Sequence, residues 1–303
     1  MQITRAVGVT TRRRRQDMCP GVLRPWVAED GLLVRLRLVG GLLHGGSLAR
    51  LLRVSAEFGD GNIHLTSRAN LQLRGLPDDG GQLPPSVLAA IESTGLVPSR
   101  KHDLVRNILV SPQTGLAGGR VNLRPVAQCL DAALRADPHL ARLPGRFLFT
   151  LDDGRGDLID RLTGAGRRGT DLGLVALSES EVQLRVGDHW GEVVRLDESA
   201  LHLVALAAAF LDVRGTGDDA AWHLRELPAP LRTPLAADPR VPAPAPPLPY
   251  GPVPGGTHRQ VPDGLLRPEP ARSLLEHSAS EDAEFVVTPW HGILVPRTLE
   301  ANP

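Results

Sequence analysis

The stretch from Ile63 to Arg74, IHLTSRANLQLR, alternates apolar and polar residues with arginines on the polar side. With a period of two, Ile63, Leu65, Ala69, Leu71 and Leu73 share one face, and His64, Thr66, Arg68, Asn70, Gln72 and Arg74 share the other. The earlier stretch GLLVRLRLVGG repeats the pattern, with Leu32, Val34, Leu36 and Leu38 on one face and Arg35 and Arg37 on the other. Arginines at alternate strand positions project in parallel, and each guanidinium fork can hold a carboxylate through two hydrogen bonds. Several on one sheet suit a ligand with several carboxylates. The plain alternative is a solvated face in an arginine-rich chain. No Glu or Asp stands at the outward positions between His64 and Arg74, and this uncompensated charge favours an anionic ligand. An RNA-binding sheet would also be basic, but it needs aromatic platforms for stacking, and this stretch has none.

The elements that must position these residues follow from the same patterning. GLLVRLRLVGG reads as a strand ended by Gly40 and Gly41. SLARLLRVSAEFGDG places Leu48, Leu51, Leu52, Ser55 and Phe58 at helical spacing before Gly59 and Gly61. The polar-faced stretch comes next as one long strand. Strand, helix, strand predicts a small α+β half-domain whose helix covers the apolar face and leaves the arginines on the other. Further helices are predicted from Pro85 to Thr94, over VAQCLDAALRAD with Cys129 on its apolar side, and over SALHLVALAAAFLDV. Strands are predicted in HDLVRNILVSPQTGLAGGR and GRFLFTLDDG, and a hairpin in DLGLVAL with EVQLRVGDHWGEVV.

Length and composition set the outer limits. The chain has 303 residues, 42% of them hydrophobic, enough for a sizeable core and about two domains. Its 34 basic and 34 acidic residues cancel, which argues against a nucleic-acid-coating surface. Lys101 is the only lysine, so any single arginine says little by itself. No apolar run is long enough for a membrane span, and the basic N-terminus lacks the apolar segment of a secretory signal, so the expected location is cytoplasmic. Cys19 and Cys129 form no close pair, and two cysteines cannot supply the four thiolates of an iron–sulfur cluster. The ten histidines are scattered without a facial triad for iron. His64 and His102 read as hydrogen-bonding surface residues, and His64 shares a face with Arg68.

Shifting the chain by 222 positions produces an internal echo: IHLTSRANLQLR at 63 meets FVVTPWHGILVP at 285, with Thr66 over Thr288, Leu73 over Val295 and, upstream, Arg37 over Arg259. A half-domain repeated at both ends implies pseudo-twofold pairing. Where the first copy has Arg68, Asn70, Gln72 and Arg74, the second has Trp290, Gly292, Leu294 and Pro296. Only the first is equipped to grip an anion. Proline-dense APAPPLPYGPVPGG marks a linker. The expected organisation is a basic disordered tail at 1–17, a first half-domain at 18–80, a central mixed α/β domain at 81–237, the linker at 238–256 and a second, degenerate half-domain at 257–303. The fold class is α+β, two half-domains related by pseudo-twofold symmetry around the central domain.

The segments CPGVLRP, EDGLLVRLRLVGG, HLTSRANLQLRGLP, HDLVRNILVSPQTGLAGG and LPGRFLFTLDDGRGDL, in this order, resemble the nitrite/sulfite reductase superfamily, and within it the precorrin-3B synthase family of aerobic cobalamin biosynthesis. FVVTPWHGILVP resembles the superfamily's second ferredoxin-like half-domain, so the resemblance runs from Cys19 to Pro296. It implies a tetrapyrrole site in which Arg37, Arg68, Arg106 and Arg146 hold acid side chains of the macrocycle, with Asn70 and Gln72 as hydrogen-bonding neighbours. Sulfite reductases usually carry a second basic residue two positions after that of Arg146; Leu148 stands here, which is compatible with a tetrapyrrole other than sirohaem. The resemblance also implies an oxidoreductase, a monooxygenase that acts on precorrin-3A with a [4Fe-4S] cluster and a non-haem iron. In the superfamily the cluster cysteines follow the second half-domain, and this sequence stops soon after it. The expectation is therefore a precorrin-3B synthase-like protein shortened at its C-terminus, whose cluster or electrons come from a separate cluster-bearing or electron-donor protein. No catalytic residue or metal ligand is assigned. A non-catalytic tetrapyrrole-binding subunit and a remnant of a sirohaem-dependent reductase remain as alternatives.

Overall fold

The computed structural model describes residues 17, 19–164, 169–276 and 282–297, and the Arg12–Arg15 run predicted as a disordered tail lies outside them. The polar-faced stretch is a hairpin rather than one strand. β4 (Ile63–Leu65) and β5 (Leu71–Leu76) pair antiparallel, with His64 opposite Gln72 and Leu65 opposite Leu71. The predicted apolar face survives this reversal, because Ile63, Leu65, Ala69, Leu71 and Leu73 are all buried. Truncating one of them, such as Leu71→Ala, is expected to cost about 2–5 kcal/mol.

Among the described residues, fifteen strands form three five-stranded sheets. The first runs β1 (Trp26–Ala28), β2 (Gly31–Leu36), β5, β4, β13 (Leu265–Leu266). Another runs β11 (Gly251–Val253), β12 (Gly256–Gln260), β15 (Gly292–Pro296), β14 (Glu284–Thr288), β3 (Leu42–His44). The two orders are equivalent under the sequence repeat, and each half lends a short strand to the other's sheet: β3 pairs with β14, and β13 with β4. Gly40 and Gly41, at φ 61° and 74°, turn the chain across to β3. At Gly41 a Cβ would come within 2.2 Å of the Val287 carbonyl, so only glycine lets the strands approach. β11 falls within the stretch predicted as linker, because antiparallel pairing with β12 recruits its backbone despite Pro252.

Helices α1 (Gly45–Phe58), α2 (Pro85–Ser93) and α6 (Pro268–Glu276) pack on these two sheets. Leu48 and Leu51 of α1, Ile91 of α2 and Leu274 of α6 share one apolar core with Val34, Leu71, Phe285 and Ile293. The halves are thus fused by burial as well as by strand exchange. The remaining sheet runs β10 (His189–Arg195), β9 (Glu181–Val186), β8 (Leu172–Ala176), β7 (Phe149–Asp152), β6 (Ile108–Val110), with β6, β7 and β8 parallel and the rest antiparallel. The apolar stripes of α3 (Arg124–Ala136) and α5 (Ser199–Val213) share its core, and α4 (Ile159–Thr163) joins a smaller cluster with Val175 and Leu177. Cys129 is exposed, contrary to the sequence reading, because Val126, Ala127, Leu130 and Leu134 define the inward stripe of α3 and turn position 129 away. The architecture is α+β, two half-domains paired around a central mixed sheet.

Candidate functional site

The turn between β4 and β5 closes on its own side chain. Thr66 N–H donates to the Asn70 carbonyl at 2.9 Å, and the Thr66 hydroxyl accepts from the Asn70 N–H at 3.1 Å. Ala69 is held at φ 54°, a conformation an alanine adopts only when its surroundings impose it. The Asn70 side chain, predicted to face a ligand, points inward instead and is 1% exposed. Its Oδ1 accepts from Leu38 N–H at 3.0 Å and its Nδ2 donates to Asn107 Oδ1 at 3.3 Å, tying the hairpin to the end of β2 and to the central domain. The apex that remains to face outward is Arg68, whose Nη1 donates to the Arg146 carbonyl at 3.0 Å.

Three guanidinium groups meet here: Arg35 from β2, Arg68 from the turn, and Arg146 from the loop before β7. Gln72 lies opposite Arg35 in the ladder, and with its amide oxygen turned toward that arginine it accepts from Nη2 at 2.7 Å and Nε at 3.2 Å. Arg146 stands over the Trp222 ring at 5.5 Å. Burial pulls the Arg35 and Arg68 guanidinium groups below their usual range, and mutual repulsion with Arg146 adds to both shifts. Among the described residues no carboxylate lies within ion-pair distance of Arg35 or Arg68; Arg146 has only Asp17, at 4.0 Å, and its Nε is sealed from solvent without a hydrogen-bond partner. Half-buried guanidinium groups on one face, with Arg35 and Arg68 free of a carboxylate partner among the described residues, make a cradle whose chemistry suits carboxylates.

Not every predicted arginine belongs to this cradle, and the predicted absence of neutralising acids is corrected for several of them. The acids come from elsewhere in the chain: Asp30 pairs with Arg74 at 3.1 Å, Asp60 with His64 at 2.7 Å, and Asp131 with Arg106. Arg37 is 1% exposed, lies 3.8 Å from Asp103 and donates twice to the Pro20 carbonyl at 3.3 Å, so it pins the Cys19–Gly21 segment. Burial pushes it down to about 10, which leaves it cationic at neutral pH. Arg37 and Arg106 instead line a neighbouring crevice of about 180 Å³, with Arg124 and Gln128 of α3 and with Val286. His102, predicted at the surface, is buried between Ser99 and the Asp137 carbonyl. The structure therefore brings together Arg68, Gln72 and Arg146 with Arg35, sets Arg37 and Arg106 apart, and makes Asn70 an internal tie. Sequence reasoning missed Arg124 of the crevice and, beside the cradle, Trp222 and a buried pair, Asp171 and His223; no local pattern in DDAAWHLRELP signals Trp222 or His223, and Asp171 lies 52 residues from its partner.

Residues 27–80 match the Nitrite/Sulfite reductase ferredoxin-like half domain. The chain is 31% identical over 149 residues to a ferredoxin–nitrite reductase of Leptolyngbya laminosa, covering 47% of this chain and 28% of that protein. It is 40% identical over 67 residues to a precorrin-3B synthase of a Sinorhizobium species, covering 22% of this chain and 15% of that protein. The NirA protein of Mycobacterium tuberculosis has a similar structure, with TM-score 0.57 and 16% identity over 95% of this chain and 58% of NirA. The chain thus spans roughly a quarter or less of the length of these curated relatives. The paired half-domains and central sheet share the fold of NirA. By these likenesses the chain contains a nitrite/sulfite reductase ferredoxin-like half domain and is similar to members of the nitrite/sulfite reductase superfamily.

Of the groups found in this superfamily, a tetrapyrrole with acidic side chains fits the residues present, since Arg35, Arg68 and Arg146 would hold its carboxylates. A four-thiolate cluster does not fit: the sequence has two cysteines, Cys19 buried and Cys129 exposed. Among the described residues no three His, Cys, Asp or Glu side chains are grouped to hold a metal, and no helix is long and apolar enough to cross a membrane.

Proposed function

We propose that this chain binds precorrin-3A through the Arg35, Arg68 and Arg146 cradle, as a precorrin-3B synthase-like protein of cobalamin biosynthesis in the cytoplasm. The observation that carries this reading is the meeting of three half-buried guanidinium groups, two without a carboxylate partner among the described residues, on one face beside the first hairpin. The 40% identity to a precorrin-3B synthase over 67 residues supports it. Gln72 would donate its amide N–H to a carboxylate, and the buried Arg37, which acts on Arg35 and Arg68, would add positive potential. A separate protein would bring the [4Fe-4S] cluster, the non-haem iron or the electrons that the family's oxygen chemistry requires; the cradle's own part is to bind and orient the macrocycle.

The second reading, a sirohaem-binding relative of the nitrite reductases, is supported by the 31% identity to a member of that group. Leu148 argues against it: it is fully buried in the apolar core and offers no cation at the position where sulfite reductases usually carry one. The test is an anaerobic titration with precorrin-3A and, separately, sirohaem, with iron and acid-labile sulfide measured on the same preparation. Tighter binding of precorrin-3A, weakened at least tenfold in Arg68→Ala, is expected. Tighter binding of sirohaem would favour the second reading, and binding of neither would sink both.

A further inference from the structure

Beside the cradle lies a histidine whose surroundings differ from those of the other buried histidines. His258 engages both ring nitrogens, Nδ1 with the Leu248 and Pro249 carbonyls and Nε2 with the Thr288 hydroxyl. His102 does the same with the Ser99 hydroxyl and the Asp137 carbonyl. Those are structural rings, with both polar atoms satisfied. His223 is 7% exposed and engages only Nδ1, which stands 3.1 Å from each oxygen of Asp171. Its Nε2 has no hydrogen-bond partner among the described residues.

The ring is held firmly. Asp171 precedes β8 and is fixed from two sides, accepting from the Leu148 N–H at 3.0 Å and the Leu224 N–H at 3.1 Å. Glu226 Oε2 accepts from the N–H groups of Trp222 and His223, which clamps the loop. A carboxylate on Nδ1 fixes the tautomer and leaves Nε2 to meet a ligand. The pair borders the cradle on both of its arginine walls. The Asp171 charge acts on Arg68, and Trp222, next in sequence to His223, carries Arg146 on its ring.

We propose that His223 is a ligand-contacting residue of the cradle: its Nε2–H donates to a carboxylate of the bound macrocycle, with Asp171 as its positioning residue. This rests on reading the cradle as a polycarboxylate site. The imidazole N–H adds a fourth hydrogen-bonding side chain to the three arginines. The charged groups that hold the ring and its loop are Asp171, just before β8, Glu226 in the same loop, and Arg214 after α5, whose Nε donates to the Ala221 carbonyl.

The test uses uroporphyrin III, an octacarboxylate macrocycle, as probe, with fluorescence quenching measured at one fixed pH for the wild type, His223→Phe, His223→Gln, Asp171→Asn and Arg68→Ala. His223→Phe should weaken binding about tenfold, His223→Gln, whose amide N–H can take the place of Nε2–H, should restore part of the loss, and Asp171→Asn should weaken binding less than His223→Phe. His223→Phe binding as tightly as the wild type would overturn the proposal. Should that variant fold poorly, ring-nitrogen NMR of the wild type decides: the Nε2 resonance of His223 shifts on adding probe if the proposal holds, and stays in place if it does not. Loss of binding in Arg68→Ala with wild-type affinity in His223→Phe overturns the histidine alone, whereas equal binding by wild type and Arg68→Ala overturns the cradle itself.

Discussion

In the first hairpin the Thr66 hydroxyl accepts from the Asn70 N–H at 3.1 Å with Ala69 at φ 54°; in the second, Thr288 accepts from Gly292 at 3.2 Å with His291 at φ 57°. The backbone device is conserved across the repeat while its side chains have diverged. Arg68 at the first apex meets Arg146 and an open face, and Trp290 takes the corresponding place in the second, its carbonyl accepting from the Tyr250 hydroxyl. Counted by ladder partners, His258 opposite Leu294 replaces Arg35 opposite Gln72. Arg37 therefore does not correspond to Arg259 as the sequence shift suggested; the alignment slips by one residue at β12. Tyr250 packs on His258 with ring centres 4.7 Å apart, and His258 is fully buried. One turn thus borders the proposed binding face in one half and a packed plug in the other. On this reading, whether a half can bind an anion is decided by its side chains and not by the fold.

The sharpest way to break this comparison is to put the first copy's residue into the second. At Gly292 a Cβ would lie 2.2 Å from His258 Nε2, so Gly292→Asn should cost upward of about 3 kcal/mol in urea unfolding. Tolerance of that change would mean that His258 does not define the plug. The double variant Arg68→Ala with Arg146→Ala should lower tetrapyrrole affinity about a hundredfold or more while the melting temperature moves little, and Trp290→Ala should leave affinity within about twofold. Thr66→Val and Thr288→Val each remove a turn-closing acceptor and should each cost about 1–2 kcal/mol in unfolding, but only Thr66→Val should also weaken binding.

The smallest expected effect is on pH dependence. Burial holds the His258 imidazole below its usual range, so the unfolded chain binds the proton more readily than the folded one. Stability through this residue is complete above about pH 6.5 and is lost as pH falls through the lower folded value. Asp157 acts the other way: burial and the Asp152 charge push it up to about 7, so its contribution declines as pH rises from about 4 to 7. The readout is therefore the difference between wild type and His258→Gln, in which the variant should lose less stability on acidification from pH 7 to 5. A pH response unchanged by the substitution would show that the second hairpin does not hold its histidine neutral.

Alternation and helical spacing made the apolar faces of β2, β5 and α1 readable, and the 222-residue echo made the pairing of halves readable. The hairpin turn was not. Thr66, Arg68 and Ala69 carry no glycine or proline signal, and the turn is closed by a hydroxyl and a positive φ that only the surrounding packing enforces. The exchange of β3 and β13 between sheets depends on tertiary proximity, which local pattern does not encode. In the site, Arg68 and Arg146 were legible by motif. Asn70 was misplaced because period-two reading assigns a turn residue to a strand face, and His223 was missed because its partner, Asp171, lies 52 residues away.

Amide hydrogen exchange with and without precorrin-3A tests the central claim, that one half binds and the other is plugged, most directly. Slower exchange through Thr66–Asn70 and the loop around Arg146, with Thr288–Gly292 unchanged, is the predicted result. Protection of Thr288–Gly292, or of neither turn while the ligand is bound, would contradict it.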